Sequence, residues 1–183
     1  MSVLFWVGPA IRNWKSSLFP LFLFFASHDL IVLLIKALSG IVIDTSFSIF
    51  LLTLVIYYLL NVFKLKRKVI FVYILALILI SVIFWQYANL TIKLTVLIAQ
   101  IIVLLLLVLK KFAEMSIEKN AYSLFYIVLI FYFLTLILKY ISIFIGTEHA
   151  VEYFIVTTIF QILFGLFFSI FREDDPRLLV KLE

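Results

Sequence analysis

His28 and Asp29 stand side by side inside an apolar run, and no other residues in this sequence are so well equipped for chemistry. An imidazole beside a carboxylate is the start of a proton relay, a hydrolytic base or a metal site. Neighbours on a helix point about 100° apart, however, so the two do not converge on one atom. Lys36 lies about two turns further along the face that Asp29 occupies and is a candidate counter-ion, as is Lys139 in a later apolar run. The rest of the catalytic vocabulary is missing. There is no cysteine, which excludes thiolate nucleophiles, zinc-thiolate sites and iron-sulfur clusters. The other histidine, His149, falls in a loop and cannot share a depth with His28. No phosphate-binding glycine loop, paired-histidine zinc helix or nucleophile elbow occurs. The expectation is a protein with no metal and no cofactor, leaning away from enzymes.

A second pattern emerges when each apolar run is measured from its basic end. At 1.5 Å per residue, His28, Asp29, Thr53, Ser81, Gln100, Thr135 and Gln161 all fall roughly 15 to 22 Å along their runs. Convergence of these side chains would give a polar layer near a bilayer midplane, where carriers, proton relays and intramembrane receptors keep their sites. The competing reading is that each one bonds a neighbouring helix or its own backbone, contributing about 0.6 kcal/mol.

The elements that must position these groups are membrane helices. Hydrophobic residues make up 67% of the chain and charged ones only 14%, with a mean hydropathy of +1.30. A soluble domain is about half apolar and a quarter charged, so the outer surface here must be solvated by lipid. A hydrocarbon core of about 30 Å needs about 20 residues of helix. Six runs qualify: 17–35, 45–63, 69–88, 94–109, 120–145 and 153–171. The fourth is short, at about 24 Å, and relies on Lys93 and Lys110 reaching toward headgroups at its ends. Strands of a barrel would show weak alternation over about ten residues, which these runs do not. The fold class is therefore all-α, a polytopic bundle of six spans in one domain.

Basic residues near span ends are retained on the cytoplasmic side. One set of loops and tails holds Arg12, Lys15, Lys64, Lys66, Arg67, Lys68, Lys110, Lys111, Lys119, Arg172, Arg177 and Lys181, and the other only Lys36, Lys93 and Lys139. Both termini are thus expected in the cytoplasm, in a prokaryotic inner membrane. Trp85, Tyr87, Tyr140 and Tyr153 fall near the outer edge and Tyr57, Tyr58, Tyr122 and Tyr126 near the inner one, as an aromatic belt requires. A cleaved signal peptide ending near Ala37-Leu38-Ser39 is rejected, because the run before it is long and carries His28 and Asp29. The first dozen residues, with Phe5, Trp6, Gly8 and Pro9, read as an anchor lying along the inner interface.

The last run carries a stripe of Thr158, Gln161, Gly165 and Ser169 within about one 60° sector, small enough for close helix contact. Beyond it, residues 172–183 form a short, polar cytoplasmic tail in which Pro176 stops the helix. Length and expected topology resemble the six-helix substrate-binding subunits of modular vitamin importers, which would imply a carrier component. The sequence departs from that pattern in having no small-residue docking stripe in its first run and only four glycines and three prolines. Stable helices, a cytoplasmic tail and 21 phenylalanines for packing fit a non-enzymatic sensory or interaction subunit better. A small transporter with a midplane site around Asp29 is the alternative, and an intramembrane enzyme the least favoured. The expected partners are the lipid bilayer and either a second copy or another membrane protein, not nucleic acid: the basic residues sit at helix ends rather than on one soluble face.

Overall fold

The computed structural model describes residues 3–40, 45–63, 72, 89–146 and 150–181. The expected third span, with Ser81, and the loop residues Asp44, Lys64 to Lys68 and His149 lie outside them. The chain is about 85% helical and all-α in character, and five helices are long and apolar enough to cross a membrane. A short helix α1 (Val3–Arg12) is followed by α2 (Phe19–Ser39), α3 (Thr45–Val62), α4 (Leu90–Lys119), α5 (Leu124–Ile145) and α6 (Ala150–Ile170). Two three-residue strands, β1 (Ala121–Ser123) and β2 (Leu179–Lys181), pair antiparallel, with Tyr122 opposite Val180.

Helix ends follow local chemistry. Gly40 closes α2 in the left-handed region (φ 69°), its N–H donating to Lys36 O at 3.0 Å. Asn89 opens α4 by accepting the Ile92 N–H at 3.0 Å. Helix α4 is much longer than the expected 94–109 span. Past Lys110 nothing breaks the helix, Lys110 pairs with Glu114 one turn on at 3.4 Å, and only Asn120 (φ 47°) ends it. The run expected to start at 120 begins its helix at Leu124, because residues 121–123 bond to β2 instead.

Two ends of the bundle can be told apart. At the tail end lie the last turn of α1, the Asn13–Leu18 turn, the start of α2, the end of α3, the start of α5 and the end of α6. Gln100 bonds the Ile49–Thr53 turn while Lys111 lies beside Val62 and Phe63, so α3 and α4 run parallel. The chain therefore leaves α3 at the tail end and enters α4 at the far end.

Helix α1 is not an interfacial anchor. It packs into the bundle between α2 and α6, and Trp6, only 4% exposed, sits 4.8 Å from the Tyr132 ring and 5.0 Å from that of Phe25. Small residues allow the approach. A Cβ on Gly8 would collide with Ser169, and one on Gly165 would stand 3.1 Å from Phe5 O. That carbonyl is the one whose helical N–H partner Pro9 cannot supply. Gly165 and Ser169 of the stripe read on the last run are thus covered by the short first helix, while Gln161 faces Lys139 and Thr158 bonds back to Phe154 O. Around Trp6 the core continues through Leu21, Phe22, Phe125, Leu129, Phe133 and Phe168.

Candidate functional site

Helices α2 to α6 and the tip of α1 enclose a cavity of about 110 Å³, room for several water molecules or a small solute. Its floor is aromatic: Trp6, Phe25, Tyr132 and Phe133. Its polar groups come from four helices: His28 of α2, Ser48 of α3, Lys139 and Tyr140 of α5, and Gln161 of α6. His28 Nε2 lies 2.7 Å from Ser48 Oγ, tying α2 to α3, and its ring is flanked by Phe24 and Phe47. Lys139 is half-buried and turns to α6, its Nζ donating to Gln161 Oε1 at 3.5 Å and lying 4.4 Å from the centre of the Phe154 ring. It does not simply extend to a headgroup. Donating ammonium, ambivalent imidazole and hydroxyls can together orient a small polar solute or pass a proton.

Three of the polar-layer residues lie elsewhere. Gln100 is buried and its Nε2 donates to Thr53 Oγ1 at 2.8 Å and to Ile49 O at 3.2 Å, a crosslink between α3 and α4. Its Oε1 has no hydrogen-bond partner among the described residues. Thr53 in turn donates to Ile49 O, and Thr135 to Tyr132 O at 2.7 Å, the way a hydroxyl is satisfied where water is scarce. Lys36 is exposed in the last turn of α2, where a cation complements the helix carbonyls, and is not in the cavity wall. Asp29 belongs to α2, but its side chain is outside the described part of the structure, as is Ser81. No cluster of three metal-ligating side chains occurs among the described residues.

A second polar centre, at the tail end, has no counterpart in the sequence reading. The Glu173 carboxylate, just past α6, accepts hydrogen bonds from Ser16, from Ser17 at 3.2 Å and from the buried Tyr126 hydroxyl at 2.5 Å. Its own N–H donates to Asn13 Oδ1 at 3.4 Å. Asn13, 1% exposed, uses its amide nitrogen to donate to Pro9 O at 3.1 Å and to Phe168 O at 3.2 Å. The tail then turns through Pro176–Leu178, capped by Asp175, and buries Leu178 before β2 joins β1. Hydrogen bonds from Arg177 hold the Asp175 carboxyl low, at about 2. The residues read as a short, polar tail are fastened to α5 and to the α1–α2 turn. The one hint in the sequence is that Glu173 and Asn13 sit next to helix ends, where unpaired backbone groups gather.

Comparison with known proteins gives no match: no family, no curated protein and no solved structure aligns with the chain. Function has to be argued from these two centres.

Proposed function

We propose that this chain is a non-enzymatic sensory or interaction subunit of a membrane assembly, in which the helical bundle and the tail act together. The observation that carries this reading is the Glu173 clasp, which ties the tail to hydroxyls from two separate parts of the bundle. A shift of α2 or α5 around the cavity would alter the hydroxyls that hold the tail, and the tail would report it. The reading includes six spans with both termini in the cytoplasm of a prokaryotic inner membrane. The parallel course of α3 and α4 favours it, because a return crossing at 69–88 would join their opposite ends. Arg12, Lys15, Lys110, Lys111, Arg172 and Arg177 all belong to the tail end, where the positive-inside rule wants them.

The test uses the absence of cysteine in the chain. A Tyr122→Cys/Val180→Cys pair, placed opposite each other across the ribbon, can be oxidised to lock the tail. The full chain is then extracted from its own membrane, locked and unlocked, and examined by native mass spectrometry. A reproducible co-purifying protein whose recovery changes with the lock is the expected result. A bare chain in both states would overturn the reading.

A carrier is the second reading, favoured by the cavity that His28, Lys139 and Gln161 share. It predicts solute uptake into proteoliposomes that Asp29→Asn and Gln161→Leu abolish and that the tail lock leaves alone.

A further inference from the structure

A second cavity opens at the tail end, with a volume of about 330 Å³. Three cationic side chains from three separate segments reach it: Lys15 of the α1–α2 turn, Lys111 of α4 and Arg172 at the end of α6. Two carboxylates also line it, and both are engaged. Glu173 is taken up by Ser16, Ser17 and Tyr126, and Asp174 pairs with Arg172 at 3.2 Å. Lys15 and Lys111 have no acidic partner among the described residues. Among the described residues the lining holds three cations and two anions, a positive excess of the sign that a phosphodiester needs. The Ser16 and Ser17 hydroxyl protons are taken by Glu173, so the donors this wall offers a phosphate oxygen are the Lys15 and Lys111 ammonium groups. Val62 and Phe63 supply an apolar side suited to the carbon skeleton of a ligand.

We propose that this pocket binds the phosphate group of an anionic ligand, with Lys15 and Lys111 as the binding cations and Arg172 shared between the ligand and Asp174. Position at a bundle end puts the site at headgroup level, where a lipid phosphodiester is the nearest source; a soluble phosphate has the same chemistry. The site depends neither on the tail acting as a reporter nor on the central cavity.

The experiment places the full chain in phosphatidylcholine nanodiscs with a graded fraction of phosphatidylglycerol and counts retained lipid by native mass spectrometry. Phosphatidylglycerol should be retained over phosphatidylcholine, and K15Q and K111Q should each weaken retention about fivefold, the effect of one basic residue beside an anionic group. K111R should keep it, showing that the charge and not the fold is at issue. K110Q is the internal control, since Lys110 pairs with Glu114 and is not in the pocket wall. If inorganic phosphate binds in pure phosphatidylcholine discs with the same dependence on Lys15 and Lys111, the pocket stands and its source is soluble. Retention that ignores K15Q and K111Q, or falls as much with K110Q, would overturn the proposal.

Discussion

The two ends of this bundle are built on opposite principles. At the tail end, Leu18, Leu21, Phe22, Leu59, Phe125, Tyr126 and Phe168 are buried against one another, and polar side chains bond across segments that are distant in sequence. At the far end, Leu33, Leu34, Leu38, Phe144, Ile145, Val151 and Phe154 are exposed, and the hydroxyls of Ser39 and Thr157 bond back to their own helices. In water such an end would collapse. In lipid an exposed leucine costs little, so helix association rests on packing and polar bonds, and among the described residues these are denser at the tail end. The polar groups of the central cavity lie toward the far end, whereas the tail is fastened at the opposite one.

The largest test of this contrast is Trp6→Ala. Trp6 fills the junction of α1, α2, α5 and α6, and its loss leaves a void that four helices must share. A loss of about 3 kcal/mol is expected, chiefly of packing energy. Leu38→Ala, at a side chain 85% exposed at the far end, should change stability by less than about 0.5 kcal/mol. Reversible unfolding in mixed micelles measures both. Similar losses for the two would mean that the far end is as tightly built as the tail end.

Glu173→Ala comes next. It removes the acceptor shared by Ser16, Ser17 and Tyr126, leaving the buried tyrosine hydroxyl without its partner. About 2 kcal/mol should be lost. Amide exchange should rise first in Ala121–Ser123 and Leu179–Lys181, the strands that the clasp holds in register. Glu173→Gln should lie between the variant and the parent. If exchange rises at the far end of α2 instead, the clasp is not what closes the tail end.

Hydropathy carried the helical, membrane-like character and the position of most of the described helices. The runs at 17–35, 45–63 and 153–171 lie within a few residues of α2, α3 and α6. What they could not carry was direction around a helix axis. Depth placed Gln161 beside His28, and both line the cavity, but depth equally placed Thr135 there, and Thr135 bonds to its own turn. The apolar face of Phe5 and Trp6 is the same whether it meets headgroups or a helix, so only the fit of Gly8 and Gly165 against their neighbours settles where α1 goes. The Glu173 clasp joins Ser16 across 157 positions of sequence, and the Ala121–Ser123 strand is too short for its alternation to stand out in the sequence. Both are tertiary facts, with no local propensity to announce them.

The smallest expected effect separates the tail's own turn from the clasp that anchors it. Asp175 caps the Pro176–Leu178 turn and accepts from Arg177 through side chain and backbone, and these bonds set its carboxyl at about 2, below the ordinary 3.8. A carboxyl held low in the folded state contributes fully above its unfolded value and loses that contribution as pH falls through the folded one. The turn should therefore be unchanged from pH 8 to pH 5 and loosen only between about pH 4 and pH 2. The chemical shift of the Arg177 amide reports it, and Asp175→Asn should flatten the titration while leaving the Leu179–Lys181 strand paired. A strand that is lost together with the Arg177 titration would mean that the turn, rather than Glu173, holds the tail to the bundle.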